Sequence, residues 1–171
     1  MMSRRNTLFS VLGLGAVTAT LTSVVAGLRG QSDRAPAPPP RTYPFALSPA
    51  EWKQRLQPDA YYVLRQAGTE RPGSSPLNHE KRAGVFSCAG CALPLFASSA
   101  KFDSGTGWPS FWQPLASAVV EDSDTTLLMK RTEVLCHQCG GHLGHVFDDG
   151  PPPTRLRYCI NGIALAFAAA T

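Results

Sequence analysis

Five cysteines are spread over the 171 residues, and four of them form two pairs of identical spacing, Cys88 and Cys91 in "CAGC" and Cys136 and Cys139 in "CHQC". Two intervening residues let one tight turn carry both thiols, and two such turns brought together make a tetrahedral four-thiolate site suited to zinc. Iron accepts the same ligand set. Disulfides, redox or structural, are the rival use of these pairs in an oxidising compartment. A metal with four thiolates keeps no position open for water, so it would hold the fold together and leave the chemistry to other residues.

The fifth, Cys159 in "RLRYCINGIALAF", cannot join a complete four-ligand site. A lone cysteine is most often a small buried hydrophobe. Its company argues for a reactive thiol: His142, His145, Asn161, Trp108 and Arg157 lie in glycine-rich or aromatic segments and not on an apolar stripe. An imidazolium or guanidinium close by lowers a thiol's pKa, and a histidine can deliver a proton to an oxygen being displaced. Each neighbour also has a plainer use. His142 can brace a strand, Trp108 can fill the core, Asn161 can cap a turn, and Arg157 can form a surface ion pair.

The elements that must position these residues begin with "LSPAEWKQRL", where Ser48, Pro49 and Glu51 have the spacing of a capping box and predict a short helix. Pro58 is expected to end it and Asp59 to cap a second helix, "AYYVLRQAG", closing at Gly68. Beyond Gly73 come short segments, among them "AGVFS", "AVVE", "TLLMKRTEVL", "HLGHVF" and "YCINGIALAF", separated by glycine, proline and aspartate. Two helices ahead of a mainly β, antiparallel body are predicted, in one domain over residues 44–171.

Upstream, Arg4 and Arg5 precede an uncharged apolar run from Leu8 to Leu28. That pattern is a signal of the twin-arginine kind, or a membrane anchor if uncut, over residues 1–30. Residues 31–43, with "APAPPP", read as an extended proline-rich tether. Periplasmic export is expected, with membrane contact only through this segment. The net charge of +4 comes from five arginines against one aspartate up to residue 41; beyond it eleven basic and eleven acidic side chains balance. The domain thus lacks the basic footprint of a nucleic-acid binder.

The long motifs "CAGCALPLF", "KFDSGTGWPSFW", "YYVLRQAGTERP" and the run from "RTEVLCHQC" to "IALAF" resemble the B-type peptide methionine sulfoxide reductases over residues 46 to 167. The resemblance implies two antiparallel β-sheets with short N-terminal helices and one structural zinc held by Cys88, Cys91, Cys136 and Cys139. It implies Cys159 as nucleophile, His145 and His142 as active-site histidines, Asn161 as a hydrogen-bonding residue beside the sulfur, and Trp108 as the wall for the substrate methyl. Arg157 is a further candidate for substrate contact. The activity implied is reduction of methionine-R-sulfoxide in oxidised proteins, with Cys159 passing through a sulfenic acid.

One position departs from the pattern. Many family members carry a second redox cysteine in this stretch, where "SGTGWPSF" has Thr106. The oxidised Cys159 is therefore expected to be reduced by an external thiol, from a thioredoxin-like protein or a small molecule, and the protein to act as a monomer. Two other functions fit the same residues less well: a cysteine-dependent acyl hydrolase, which lacks a recognisable nucleophile motif, and a zinc-ribbon binding module without turnover.

Overall fold

Serine, proline and glutamate at residues 48, 49 and 51 do what their spacing predicts. In the computed structural model, which describes residues 41–124 and 131–171, the Ser48 hydroxyl accepts the Glu51 amide at 3.3 Å and Glu51 Oε2 accepts the Ser48 amide at 2.8 Å. Helix α1, Pro49–Arg55, starts there. Helix α2, Pro58–Gln66, starts on Pro58 itself, with Asp59 inside its first turn and Gln57 at the cap position. Proline at the first helical position lacks only an amide that would be unpaired anyway, so Pro58 opens the second helix and does not simply end the first. Its far end closes one residue early, at Ala67 with φ 53°, from which Gly68 donates to the Tyr62 carbonyl.

The signal-like segment and almost all of the tether lie outside the described residues. Among the described residues, Arg41 pairs with Asp122 at 3.6 Å, and the Phe45 amide donates to the Gln138 carbonyl. Among the described residues no helix is long and apolar enough to cross a membrane.

Nine strands follow among the described residues: β1 Gly84–Cys88, β2 Pro94–Ala97, β3 Lys101–Phe102, β4 Ser110–Phe111, β5 Val119–Asp124, β6 Arg131–Cys136, β7 His142–Phe147, β8 Arg157–Ile160 and β9 Leu165–Ala169. They form two antiparallel sheets, β2-β1-β9 and β3-β4-β8-β7-β6-β5. The segment "YCINGIALAF", expected as one strand, is split by a 3-10 turn over Gly162–Ala164 that ends β8 in the larger sheet and starts β9 in the smaller. The chain thus changes sheets two residues after Cys159. Hydrophobic alternation cannot reveal such a break, because both halves remain apolar.

An aromatic cluster joins the sheets. Phe86 of β1 and Phe96 of β2 are register partners, and Phe111 of β4 stacks on Phe96 at 4.3 Å and meets Phe86 edge-on at 5.0 Å. All three are fully buried. Val134, Leu143 and Ile160 extend the core beneath the large sheet, and Trp52, Val63 and Leu64 seal it from the helices. Because Phe111 contacts both phenylalanines of the small sheet, Phe111→Ala is expected to lower unfolding free energy by about 3–5 kcal/mol, read from the urea midpoint.

Candidate active site and metal centre

The two C-x-x-C turns meet. Cys88 ends β1 and Cys91 follows it in a turn closed by the Ala92 amide on the Cys88 carbonyl, and Cys136 ends β6 and Cys139 follows it in one closed by the Gly140 amide on the Cys136 carbonyl, both at 2.8 Å. Gly140 sits at φ 66°, a left-handed conformation that a side chain would strain, and its open face is covered by the Tyr43 ring. An arginine from each helix holds one turn: Arg55 Nε donates to the Gly90 carbonyl at 2.7 Å, and Arg65 Nη1 to the Cys139 carbonyl at 3.0 Å.

The four sulfurs lie within 4.8 Å of one another, with Cys88 to Cys139 at 3.8 Å and Cys91 to Cys136 at 3.5 Å. A tetrahedral thiolate metal with bonds of about 2.3 Å requires sulfurs about 3.8 Å apart, so the residues fit a metal ion. They do not fit disulfides, whose bond is about 2.05 Å; all five cysteines are free. Hydrogen bonding to Cys136 pushes the Cys88 and Cys139 thiols up, while their neighbours hold Cys91 and Cys136 down. Four thiolates so close together need a cation.

Cys159 is built on a different face. Along β8, Tyr158 and Ile160 are buried in the core, so the alternating Arg157 and Cys159 point to the opposite side of the sheet. Register sets Cys159 directly opposite Ser110 of β4 on one flank and His145 of β7 on the other. Side chains directly opposite share a face. Gly144 permits the close approach of β7 and β8, because a Cβ there would collide with the Cys159 carbonyl.

The second histidine is held more tightly. His142 is only 4 % exposed, its Nδ1 lies 2.6 Å from Glu133 Oε1, and its ring meets that of His145 edge-on at 5.4 Å. Glu133 is itself the register partner of His145. One carboxylate on β6 thereby orients His142 beneath the histidine that faces Cys159. Asn161 has both side-chain groups committed: Oδ1 accepts the Glu70 amide at 2.9 Å and Nδ2 donates to the Leu143 carbonyl at 3.0 Å.

Glu70 is the residue the sequence did not flag. Its carbonyl accepts the Trp108 indole N–H at 3.2 Å, its amide binds Asn161, and its carboxylate accepts the amides of Gly162 at 2.6 Å and Ile163 at 3.0 Å. A single residue after α2 thus fixes the indole, the asparagine and the turn that follows β8. Its partners are up to 93 positions away, and no local motif announces such a contact. Trp108, partly buried, borders a cavity of about 220 Å³ together with Asp103, Gly105 and Lys101. A larger cavity, about 720 Å³, lies on the other side of Glu70 between Tyr62, Leu77 and Phe167 and does not include Cys159.

Arg157 is locked on its own strand. It forms a two-point ion pair with Asp149 at 2.8 and 2.7 Å and lies over the Phe147 ring at 4.4 Å. The hydrogen bonds from Arg157 hold the Asp149 carboxyl below its usual range. Burial raises the Cys159 thiol, and Thr106 and Arg157 act against that rise. The histidines, Arg157 and Cys159 therefore come together on the β7 and β8 strands, with Trp108 and Asn161 tied to them through Glu70.

Two outcomes follow from this geometry. Metal analysis should find about one ion per chain, and Cys136→Ser should lose it with a large fall in melting temperature. Glu70→Gln, which leaves a backbone amide without its acceptor, should cost about 1–3 kcal/mol in urea unfolding and raise acrylamide quenching of indole fluorescence.

The SelR domain family matches residues 56–169. A peptide methionine sulfoxide reductase MsrB of Pseudomonas putida (strain W619) is 58% identical over 118 residues, covering 68% of this chain and 89% of the relative. Proteins of the same name from Agrobacterium fabrum and Methanosarcina barkeri are 53% and 54% identical over 121 residues, covering 70% of this chain and 90% and 85% of the relatives. Similarity at this level extends over nearly the full length of bacterial and archaeal relatives, and the chain belongs to the SelR domain family.

Proposed function

We infer that this protein reduces methionine sulfoxide in peptides and proteins, acting on the R diastereomer, with Cys159 as the nucleophile. The observation that carries the reading is the register of β7, β8 and β4, which sets the Cys159 sulfur on one face between His145 and Ser110. In the reaction, the Cys159 thiolate attacks the sulfoxide sulfur and His145 protonates the oxygen. The attack forms an S–S bond, and the protonated oxygen of this adduct then passes to the Cys159 sulfur: as the S–O bond to Cys159 forms, the S–S bond and the original S–O bond break, methionine departs reduced by two electrons, and Cys159, oxidised by two, is left as a sulfenic acid. His142, oriented by Glu133, keeps the His145 ring in place. The Trp108 face receives the S-methyl group, a contact sulfur makes favourably, while Arg157 favours the thiolate and Asp149 keeps Arg157 from swinging away.

The reductive half needs an outside thiol. The chain has five cysteines, four gathered in the cluster and Thr106 at the expected resolving position. A first external thiol condenses with the sulfenic acid to a mixed disulfide, releasing water, and a second thiol releases Cys159 with the external disulfide as product. A thioredoxin-like donor suits the exported location that the twin arginines suggest. The cluster holds zinc, the common occupant of a closed four-thiolate site, which supplies folding energy and no step of the reaction. The relatives that match over this length are named methionine sulfoxide reductases, which disfavours a cysteine-dependent acyl hydrolase, and a pure binding module would have no use for the histidine pair.

The decisive assay is dithiothreitol-dependent reduction of the two diastereomers of a blocked methionine sulfoxide. Turnover confined to the R form and abolished in Cys159→Ser is expected; activity on the S form alone, or activity surviving the serine variant, refutes the assignment. One equivalent of substrate without reductant should consume one thiol and leave no intramolecular disulfide and no released metal. A disulfide formed within the chain would disprove the external-thiol cycle.

A further inference from the structure

A chain of three linked hydroxyls ends on the Cys159 sulfur. The stretch "DSGTGWPS" supplies Ser104, Thr106 and Ser110. Ser104 Oγ lies 2.8 Å from Thr106 Oγ1 and 2.7 Å from Ser110 Oγ, Ser110 Oγ donates to the Trp108 carbonyl at 3.2 Å, and Thr106 Oγ1 lies 3.9 Å from Cys159 Sγ. Ser110 is fully buried and faces Cys159 across the β4 and β8 ladder, so the chain of hydroxyls is anchored on a strand.

We propose that Ser104, Thr106 and Ser110 form a hydroxyl relay for the reacting sulfur, with Thr106 as a catalytic residue that turns from acceptor to donor when Cys159 becomes charged. Proton counting supplies the argument. Each hydroxyl has one hydrogen to give. With the Ser110 hydrogen on the Trp108 carbonyl, Ser110 accepts from Ser104, Ser104 accepts from Thr106, and Thr106 Oγ1 is left to accept from the Cys159 thiol. When that thiol loses its proton, the three O–H bonds rotate in concert: Ser110 donates to Ser104, Ser104 to Thr106, and Thr106 to the thiolate. No proton changes owner, and only the bond to the Trp108 carbonyl is given up. Connected hydrogen bonds of this kind polarise one another, and one to a charged acceptor is stronger than its neutral counterpart. The same orientation serves a sulfenate oxygen on Cys159. Thr106 therefore does not merely fill a resolving cysteine's place; it supplies a donor that a thiol would supply poorly.

The inference rests on Cys159 being the reacting sulfur, and the test separates the two claims. The metal-loaded full chain is alkylated with iodoacetamide across pH, and modification of the Cys159 peptide is followed by mass spectrometry. The charged or titratable groups facing this sulfur are Arg157 on its own strand, Asp149 in the loop after β7, and His145 on β7; none is altered. Thr106→Val, similar in shape but without the hydroxyl, should react roughly tenfold more slowly near neutrality, its profile displaced upward by about one pH unit. Thr106→Ser should restore the wild-type profile, and Ser104→Ala should move it part of the way. Coincident Thr106→Val and wild-type profiles, or Thr106→Ser behaving like Thr106→Val, overturn the relay. Should Thr106→Val not fold, the Thr106→Ser and Ser104→Ala profiles decide, the relay failing if Ser104→Ala matches wild type. A chain inactive on sulfoxides but responding in this way would retain the relay and lose the proposed function.

Discussion

Two turns held by four sulfurs constrain nearly everything else in this protein. One turn closes β1 of the small sheet, and the other joins β6 to β7 of the large one. Fastening them together fixes how the two sheets meet and, through β7, where the histidines stand. His142 comes three residues after Cys139, and His145 three further on, so a shift of the second turn would carry both rings with it. The helices reinforce this joint through Arg55 and Arg65, each bonded to the backbone of one turn. A binding step at one end of the hairpin is thus coupled through strand register to chemistry about 10 Å further along it.

Cys159, the proposed nucleophile, illustrates a balance of opposed terms. Burial alone makes Cys159 a poor thiolate. Arg157 offsets part of that penalty, and the arginine is kept there by the Asp149 fork and the Phe147 ring. On the other flank Thr106 offers a neutral group that can follow the charge. The site therefore relies on one fixed cation two residues along the same strand and one adaptable dipole from the loop before β4.

Much of this was legible in advance. Capping at Ser48, two C-x-x-C turns and the isolation of Cys159 are all local patterns, since spacing within a few residues determines them. The pairing of Glu133 with His142, the Asp149 fork on Arg157 and above all the reach of Glu70 were not, because each joins separate segments in the sequence and only register or tertiary packing brings them together. The two-residue strands β3 and β4 are too short to show any period, and the sheet change after Ile160 occurs inside an unbroken apolar run. Pro58 misled for a different reason: the residue that ends one helix is also well suited to begin the next.

The way the chain enters the domain has its own architectural meaning. Arg41 pairs with Asp122 on β5, the Tyr43 ring lies on Gly140, and Phe45 bonds to Gln138. Strand β5 is the outer edge of the large sheet, three places from β8 in its order. The first described residues are thus moored along that margin and beside the sulfur cluster, and they do not run over the strand that bears Cys159. Among the described residues, then, the fold separates the place where the domain's first residues are fastened from the strand on which the proposed nucleophile stands.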